Sequence, residues 1–324
     1  MSSRPILSIL LPVFNGSRYL DAQLFSILDQ THEDYELLIY DDGSADDSAD
    51  IIGRFASRDA RIRVFSSKTN CGQSLALRLL LAESRGDLVM FSDQDDVWEA
   101  RKTEILLKAI GDATMAYGIS ELIDAEGRSM GKSIFDFVGS PLAGRDQIDL
   151  LFHNTVSGHA MLVRREIVEP SLFQVGIDYD WLIAVLATYR NGVVYEPTAI
   201  TFHRQHQNNQ VNVFGRPRPP KPPQSGRWHR IMRMHAALGA LVICRQLAPE
   251  KRSLFNRLLN SLREDVILSA ELTNQRRKFS ENFVAAMDQL QVPTQDQKTV
   301  GRIVRKICRS PLHPKTIKEA LRNR

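Results

Sequence analysis

Short apolar segments alternate with amphipathic segments along the first 91 residues. The apolar segments cover 6–12, 35–40, 61–66 and 88–91, and their nearly continuous hydrophobic character predicts strands buried on both faces. Between them, apolar side chains recur at helical spacing over 17–31, 44–55 and 73–84. This alternation predicts a parallel, doubly wound α/β sheet whose ligand lies at the carboxyl ends of the strands.

Beyond residue 96 the pattern predicts a mixture of short elements. We expect helices over 97–110, 146–152 and 178–190, and strands over 115–123, 159–163 and 192–196, the last of them ending at Pro197. Five prolines between Arg216 and Pro223 predict a stiff, extended linker. The chain is therefore expected to contain a first domain over 1–215, a linker over 216–225 and a helical C-terminal region over 226–324.

The composition bounds the class of protein. A hydrophobic content of 43% over 324 residues supports one large core or two modest ones. Three scattered cysteines favour neither a disulfide framework nor a zinc site, which points to a reducing compartment. The sequence pattern contains no signal peptide and no apolar segment long enough to span a bilayer, so we expect a cytoplasmic protein.

Charge is distributed unevenly along the chain. From Gly226 onward 20 basic residues accompany 8 acidic ones, whereas the preceding residues contain 22 basic and 30 acidic ones. The basic region predicts an anionic partner. In segment 300–309, apolar residues alternate with Arg302, Arg305, Lys306 and Arg309 in an amphipathic pattern suited to an anionic membrane surface. Solvated helical faces are the alternative, and nucleic acid is not expected because aromatics are few and no binding motif occurs.

Acidic and amide side chains follow three of the predicted strands. Asn15 follows the first strand, Asp41 and Asp42 the second, and Asp93, Asp95 and Asp96 the fourth. The carboxyl ends of parallel strands lie at one edge of a sheet, so one crevice is expected to hold these side chains. Unneutralised acids this close together favour a divalent cation, and oxygen ligands suit Mg or Mn. A solvated acidic loop that caps helix 97–110 is the alternative.

Seven short motifs carry a family resemblance. Residues 11–15 (LPVFN), 41–44 (DDGS), 70–72 (NCG) and 92–98 (SDQDDVW) resemble the N-terminal half of a family 2 inverting glycosyltransferase with the GT-A fold. Residues 158–161 (GHAM), 179–181 (YDW) and 204–206 (RQH) resemble the rhamnosyltransferase-like branch of that family. The match covers residues 4–212. It implies the Rossmann-like mixed sheet of nucleotide-diphospho-sugar transferases, with a C-terminal α-helical region added.

The resemblance also implies roles for individual residues. Asp95 with Asp93 is expected to hold Mg or Mn on the donor diphosphate, and His206 to contact the metal or the diphosphate, with Arg204 beside it. Asp41 is expected to accept a hydrogen bond from the imide N–H of uracil or thymine. Asp180 matches the general base, kept ionised by the helix that begins there. Pro12, Phe14 and Asn15 are expected to line the nucleoside pocket.

Several positions keep two interpretations. Asp178 competes with Asp180 as the base but lies where a helix cap belongs, and Asp96 is interpreted as the cap of helix 97–110. Asp42 is interpreted as a turn residue and Asn15 as either a turn or a pocket residue. His159 borders the acceptor or belongs to the core. Trp98 and Trp181 stack on sugars or simply pack. His203 stands where the family commonly has Tyr, so His203 is assigned no role. Tyr179, next to the expected base, stands where the family usually has His.

The expected function is a metal-dependent transfer from a dTDP- or UDP-sugar, with L-rhamnose as the first guess, to a glycan or lipid-linked acceptor. The product would be a surface polysaccharide such as an O-antigen, made at the cytoplasmic face of the membrane. Two alternatives stay open. A sugar nucleotidyltransferase requires a glycine-rich basic loop after its first strand, which segment 12–18 does not resemble, and a catalytically silent module would bind sugar nucleotide or glycan without turnover.

Overall fold

Four parallel strands form the first half of a single sheet. In a computed structural model they run in the order β3-β2-β1-β4, and their apolar side chains are largely buried because helices cover the sheet. The predicted alternation is confirmed, with ends that shift by a few residues. The elements are β1 (Leu7–Val13), α1 (Ser17–Leu28), β2 (Tyr35–Asp41), α2 (Ser48–Ala56), β3 (Ile62–Ser66), α3 (Gln73–Glu83) and β4 (Leu88–Phe91).

The second half of the sheet changes direction. β4 pairs antiparallel with β8, β8 pairs antiparallel with β6, and β6 pairs parallel with β9, so the all-parallel arrangement is limited to the first four strands. The whole sheet is mixed, as the family resemblance implies. The remaining elements are β5 (Val97–Trp98), α4 (Lys102–Ile110), β6 (Met115–Ile123), β7 (Ser129–Ser133), α5 (Phe135–Val138), β8 (Met161–Arg164), α6 (Tyr179–Thr188) and β9 (Val193–Arg204).

The expected helix over 97–110 begins five residues later than predicted. Val97 and Trp98 form β5, which pairs antiparallel with Phe202 and Thr201 of β9. These backbone hydrogen bonds come from a strand about a hundred residues away, which a local pattern does not reveal. The expectation that Asp96 caps this helix is therefore wrong, because a strand and a turn separate Asp96 from α4.

Strand β9 also differs from the prediction, which ended it at Pro197. It runs on to Arg204, and the register against β6 shifts from Gly118–Glu196 to Ile119–Ala199. The shift is a β-bulge that contains Pro197 and Thr198. Because proline has no backbone N–H to donate, the bulge lets the β-ladder continue beyond it. Because the strand continues, it delivers His203 and Arg204 to the edge of the sheet where the acidic motif lies.

The start of α2 is a smaller correction. The sequence pattern predicts a helix from residue 44, but the helix begins at Ser48, with Asp47 in the capping position. Asp46 instead accepts hydrogen bonds from the backbone N–H groups of Ser17 and Ser48. It therefore joins the starts of α1 and α2.

The structure describes residues 6–145, 150, 154–173, 178–207, 209 and 249. The chain divides into two compact units, Met1–Pro217 and Arg218–Arg324, and every element named above belongs to the first. Apart from Pro249, the expected helical region 226–324 lies outside the described residues, as do the linker 216–225 and most of the expected helix 146–152. Within the described part, no helix is both long enough and apolar enough to cross a membrane.

The connection from α3 into β4 packs directly against the backbone of β1. A Cβ atom placed on Gly86 would lie 2.6 Å from the Ser8 nitrogen and 2.7 Å from the Leu7 carbonyl carbon. The turn is held there because Ser8 Oγ accepts from the backbone N–H of Gly86 over 2.8 Å. This close approach fixes how far β4, and the acidic motif after it, extends along the sheet.

Replacing Gly86 by alanine is therefore expected to lower the free energy of unfolding by about 1–3 kcal/mol, because backbone atoms of β1 have to move. Urea unfolding followed by circular dichroism measures the change. Gly53→Ala is the matched control: Gly53 lies in exposed helix α2 with no atom within 4 Å of an added Cβ. That control is expected to gain about 0.5–1 kcal/mol. Equal stability of the two variants would contradict the packing argument.

Candidate active site

The three carboxylates of the acidic motif face different surroundings. The side chain of Asp93 is 32% exposed and that of Asp95 is 16% exposed, whereas that of Asp96 is completely buried. Asp93 Oδ2 lies 3.1 Å from His159 Nδ1, and Asp93 Oδ1 accepts a long hydrogen bond of 3.4 Å from Gln73. Asp93 and Asp95 are therefore partly exposed to solvent, and Asp96 faces the protein interior.

Asp95 pairs with His206. The His206 Nε2 atom lies 2.8 Å from Asp95 Oδ2, and the imidazole ring packs at 4.9 Å from the ring of Tyr19. Burial and the charges of Asp96 and Asp93 raise the pKa of Asp95 to about 6, and the contact with His206 offsets part of that rise. The site thus has an excess of negative charge that a bound cation would relieve.

Arg204 organises the backbone around this pair. Its Nε donates to the Asp95 carbonyl over 2.9 Å, its Nη1 donates to the carbonyls of Asp124 and Ala125, and its guanidinium lies 4.8 Å from the centre of the Tyr19 ring. The side chain is buried. Arg204 therefore connects the acidic motif to the turn after β6, a role that the expectation of a direct donor contact did not include.

Asp96 forms a buried ion pair with His203. His203 Nδ1 lies 2.8 Å from Asp96 Oδ1, which also accepts from the backbone N–H of Arg204 over 3.1 Å. Burial by itself lowers the pKa of His203, but the charges of Asp96, Asp93 and Asp95 and the hydrogen bond outweigh it and raise that pKa to about 9. Burial raises the pKa of Asp96, yet the charges of His203 and His159 hold it well below its usual range. A charged pair thus fixes β9 against the motif.

His159 and Lys102 lie beneath the same motif. The rings of His159 and His203 are stacked with centroids 4.5 Å apart, and His159 Nε2 lies 2.9 Å from Ser120 Oγ. Lys102 is fully buried below the Trp98 ring, and its Nζ donates to the His159 carbonyl and to Thr201 Oγ1. His159 is therefore a core residue that supports Asp93, and both tryptophans are packed in the interior.

Four of these side chains come close enough together to suggest a metal centre. Ligand atoms of Asp93, Asp96, His159 and His203 all lie within 4.8 Å of one another. The two imidazole rings, however, are inclined by only 17°. A metal ion binds in the plane of an imidazole, and two stacked, nearly parallel rings have no nearby point in both planes. In this arrangement the two histidines cannot bind one ion together.

The expected metal ligands are divided between two neighbouring groups. Asp95 and His206 form one group, and Asp93 contacts His159 in the other. The donor atoms fit Mg or Mn, because two carboxylates and one imidazole border the crevice and the raised pKa of Asp95 marks a deficit of positive charge. The residues present therefore fit a divalent cation at Asp95, with Asp93 and His206 beside it.

The β1–α1 loop, which we expected to line the nucleoside pocket, is hydrogen-bonded to the acidic motif. Asn15 adopts a positive φ of 49°, and its side-chain oxygen accepts from the backbone N–H of Ala45 over 2.8 Å. Gln94, between the acidic residues, holds the exposed Phe14 through hydrogen bonds to both its N–H and its carbonyl. Pro12 lies in β1, half-buried. Asn15 is thus more than a turn residue, and the loop is tied to the acidic motif.

Asp41 and Asp42 differ in what they hold. Asp41 is buried, and its Oδ1 accepts from the Ser44 N–H over 3.0 Å, while no described residue donates to its Oδ2. Asp42 accepts hydrogen bonds from the backbone N–H groups of Cys71 (2.7 Å) and Gly72 (2.8 Å). The interpretation of Asp42 as a turn residue is incomplete, because its carboxylate fixes the loop before α3 to the end of β2.

Asp180 lies in the first turn of α6, and Asp178 occupies the capping position before it. Asp180 is half-buried and accepts three hydrogen bonds, from Asn154, Gly158 and Trp181. Burial and the charge of Asp178 raise its pKa to about 7, with a further contribution from Asp93, although the backbone N–H groups of Trp181 and Gly158 act in the opposite direction. We expected the helix to keep Asp180 ionised. Burial and repulsion outweigh that effect, so the carboxylate is basic enough to take a proton near neutral pH.

Three residues of this site were not identified from the sequence. His203 was assigned no role, although a second histidine in His203-Arg204-Gln205-His206 was a signal. Lys102 is in line with Leu106 and Ile110 at helical spacing, so its position on an apolar stripe could have marked it as buried. Asn154 lies in an irregular segment that gave no signal.

The comparisons with known proteins agree with this geometry. The family described as Glycosyl transferase family 2 matches residues 8–171. The chain belongs to glycosyl transferase family 2. An uncharacterized glycosyltransferase of Haemophilus influenzae is 29% identical over 209 residues, which cover 62% of this chain and 79% of that protein.

Other relatives match this glycosyltransferase over shorter segments or in fold alone. The putative teichuronic acid biosynthesis glycosyltransferase TuaG of Bacillus subtilis is 31% identical over 133 residues, 40% of this chain and 53% of that protein. The crystal structure of S. aureus TarS 1-349 in complex with UDP-GlcNAc has a TM-score of 0.58 at 14% identity, covering 98% of this chain and 91% of that one. This likeness confirms the expected GT-A fold.

The His203–Asp96 pair predicts a pH-dependent stability. The pKa of His203 is raised to about 9 in the folded chain, above its usual 6.5, so its stabilising effect is complete below about pH 6.5 and is lost as pH rises through about 9. His203→Gln is expected to lower the free energy of unfolding by about 3–5 kcal/mol at pH 6, because it leaves a buried carboxylate without its cation. Urea unfolding at pH 6, 8 and 10 measures the change.

The difference in free energy of unfolding between the wild type and His203→Gln is expected to become smaller at pH 10, where wild-type His203 has lost its proton. His32→Gln, at a surface turn, is the control and is expected to keep the stability of the wild type. A deficit that stays constant from pH 6 to 10 would show that His203 is neutral in the folded chain.

Proposed function

We propose that this glycosyltransferase is an inverting enzyme that depends on Mg or Mn. It transfers a sugar, with L-rhamnose as the first to test, from a dTDP- or UDP-sugar to a glycan or lipid-linked acceptor. The product contributes to a surface polysaccharide. The observation that carries the proposal is the arrangement of Asp95, paired with His206, beside Asp93, whose charge acts on the candidate base Asp180.

The donor diphosphate is the leaving group of the reaction. Asp95, Asp93 and His206 would hold a divalent cation, and that ion, when bound, neutralises charge on the departing diphosphate. Arg204 keeps the Asp95 backbone in place through its hydrogen bond to the Asp95 carbonyl. Asp41, whose Oδ2 receives no hydrogen bond from the described residues, is suited to accept the imide N–H of uracil or thymine.

The acceptor hydroxyl attacks the anomeric carbon from the face opposite the diphosphate. The new carbon–oxygen bond forms as the bond to the diphosphate oxygen breaks, and Asp180 takes the hydroxyl proton. A pKa of about 7 makes Asp180 a good acceptor of that proton at neutral pH. Burial raises this basicity most, and the charge of Asp178, in the capping position, adds to it; we therefore assign the base to Asp180.

The choice of donor and acceptor draws on the relatives. TarS was crystallised with UDP-GlcNAc, and TuaG is described as a putative teichuronic acid biosynthesis glycosyltransferase, which supports a uridine diphosphate donor and a polysaccharide product. Rhamnose, and an O-antigen as the polymer, follow only from the motifs shared with the rhamnosyltransferase-like branch. A silent binding module would bind the same donor without releasing nucleoside diphosphate.

We further propose that the enzyme works at the cytoplasmic face of a membrane. The basic surplus after Gly226 supports attachment to anionic lipid, where a lipid-linked acceptor would lie. This region lies outside the described residues apart from Pro249, so the proposal rests on its charge and on the pattern of segment 300–309.

Calorimetric binding of UDP and dTDP, each with Mn, with Mg and with chelator, tests the donor site without an acceptor. We expect metal-dependent binding that Asp95→Asn weakens at least tenfold, because one metal ligand loses its charge. Protons compete for Asp95, whose pKa is about 6, so binding is expected to be weaker at pH 5 than at pH 7.5.

Asp112→Asn, at an exposed position after α4, is the control for this test and should bind as the wild type does. If neither nucleotide binds under any condition, the donor-site assignment fails. Binding that is the same in chelator would instead remove the metal from the proposal.

Co-sedimentation with vesicles tests the membrane attachment. Replacing Arg302, Arg305, Lys306 and Arg309 by glutamine in the full chain is expected to weaken binding to anionic vesicles by more than about tenfold, since each basic residue near such a surface contributes about 1 kcal/mol. The wild-type chain with zwitterionic vesicles is the control. Equal sedimentation of wild type and variant with anionic vesicles would contradict attachment through this segment.

A further inference from the structure

The carboxylate of Asp180 is held by a segment that lies more than twenty residues before it. The side-chain amide of Asn154 donates to Asp180 Oδ1 over 3.1 Å, and the Gly158 N–H donates to Oδ2 over 3.1 Å. The Trp181 N–H also donates to Oδ1, over 2.6 Å. Each carboxylate oxygen can accept about two hydrogen bonds. Oδ1 is therefore saturated, and one acceptor position remains on Oδ2.

The orientation of the Asn154 amide is fixed by a second contact. Its side-chain oxygen accepts from the backbone N–H of Val156 over 3.0 Å. If the amide were turned over, its NH₂ group would face the Val156 N–H and its oxygen would face the carboxylate. The two contacts together require that the NH₂ group point to Asp180.

The same segment reaches the donor side of the crevice. His159, which follows Gly158, contacts Asp93 Oδ2 over 3.1 Å, and the buried Nζ of Lys102 donates to the His159 carbonyl over 2.5 Å. Segment 154–159 therefore contacts the carboxylate of the candidate base at one end and the carboxylate of the donor site at the other. Its anchoring on Lys102 fixes the two carboxylates relative to one another.

We propose that Asn154 is a positioning residue for the general base. Its amide, together with the Trp181 N–H, saturates Oδ1 of Asp180 and so makes Oδ2 the oxygen that takes the proton of the acceptor hydroxyl. This inference rests on the proposed role of Asp180 as the base. Among the described residues, Asn154 provides the side-chain hydrogen bond to Asp180, and the other two donors are backbone groups.

Loss of the hydrogen bond from Asn154 destabilises the ionised form of Asp180. Asp178 on the same helix and Asp93 after β4 are the charged groups that destabilise ionised Asp180, and Tyr179 is its titratable neighbour. The Asn154 amide opposes these two charges because it donates to the carboxylate. Removing this hydrogen bond is therefore expected to shift the titration of Asp180 upward by about one pH unit.

The test uses the full chain carrying Asn154→Ala and measures nucleotide release from UDP- and dTDP-sugars between pH 5.5 and 9.5, with water as the acceptor. We expect the acidic limb of the rate profile to move up by about one pH unit. The rate is expected to fall roughly tenfold at pH 6.5 and to recover largely at pH 9, where Asp180 is ionised in both proteins. The affinity for UDP or dTDP with Mn is expected to stay that of the wild type.

Three variants provide controls. Asn154→Asp keeps an acceptor for the Val156 N–H but replaces the donor by a charge, so a larger upward shift of the limb is expected. Asn191→Ala makes the same replacement at an exposed position just beyond the other end of α6, and is expected to reproduce the wild-type profile. Asp180→Asn is expected to abolish the limb together with most of the turnover.

A measurement of stability makes the inference independent of turnover. The pKa of Asp180 is raised in the folded chain, so stability falls as pH increases from about 4 to about 7. In Asn154→Ala this fall is expected to extend to about pH 8. The inference is overturned if the rate profile and the stability profile of the variant both keep the wild-type pH dependence. It is also overturned if the variant loses its affinity for nucleotide, because Asn154 is then only a structural residue.

One outcome separates the inference from the proposed function. If the stability profile of Asn154→Ala shifts while neither the wild type nor any variant releases nucleotide, Asn154 still sets the ionisation of Asp180. The assignment of Asp180 as a catalytic base then fails instead. If Asp180→Asn turns over at the wild-type rate, the same conclusion holds.

Discussion

The buried ion pair between Asp96 and His203 is the constraint on which the site depends. A carboxylate without solvent exposure costs several kcal/mol unless a cation and hydrogen bonds compensate it, and His203 with the Arg204 N–H does so here. The pair fastens the end of β9 to the acidic motif after β4. Arg204, the last residue of β9, and His206, two residues beyond it, both reach Asp95. The pair therefore acts together with the Arg204–Asp95 and His206–Asp95 contacts to fix the donor-side residues relative to one another.

A second consequence of burial is the division of labour among carboxylates. Asp96 stays ionised because histidines surround it, whereas the pKa of Asp95 rises to about 6 and that of Asp180 to about 7 because acidic neighbours and burial act on them. Asp96 stabilises the structure, Asp95 is suited to binding a cation, and Asp180 is suited to accepting a proton. The same residue type thus takes three roles, set by what each side chain contacts.

The segment from Asn154 to His159 connects these roles across the crevice. It contacts Asp180 through Asn154 and Gly158, and it contacts Asp93 through His159, which stacks on His203. Buried Lys102 holds the His159 carbonyl from below. The relative positions of the proposed donor site and the proposed base are therefore set by a chain of contacts that starts in the core, and the two stacked imidazoles are not placed to bind one ion together.

The parallel half of the sheet, from β1 to β4 with its helices, could be predicted from the sequence, because the periodicity of consecutive residues indicates each element. The sequence also determined that Asp41, Asp93 and Asp95 share an edge, since they follow strands that run in one direction. Long-range contacts determine three other features. Val97–Trp98 forms a strand, β9 continues past Pro197 through a bulge, and the side chains of the acidic motif pair with residues far away in the sequence. Asp96 and His203 are 107 residues apart, and Asn154 and Asp180 are 26 apart. Local periodicity carries no information about such pairs, because only folding brings their atoms into contact.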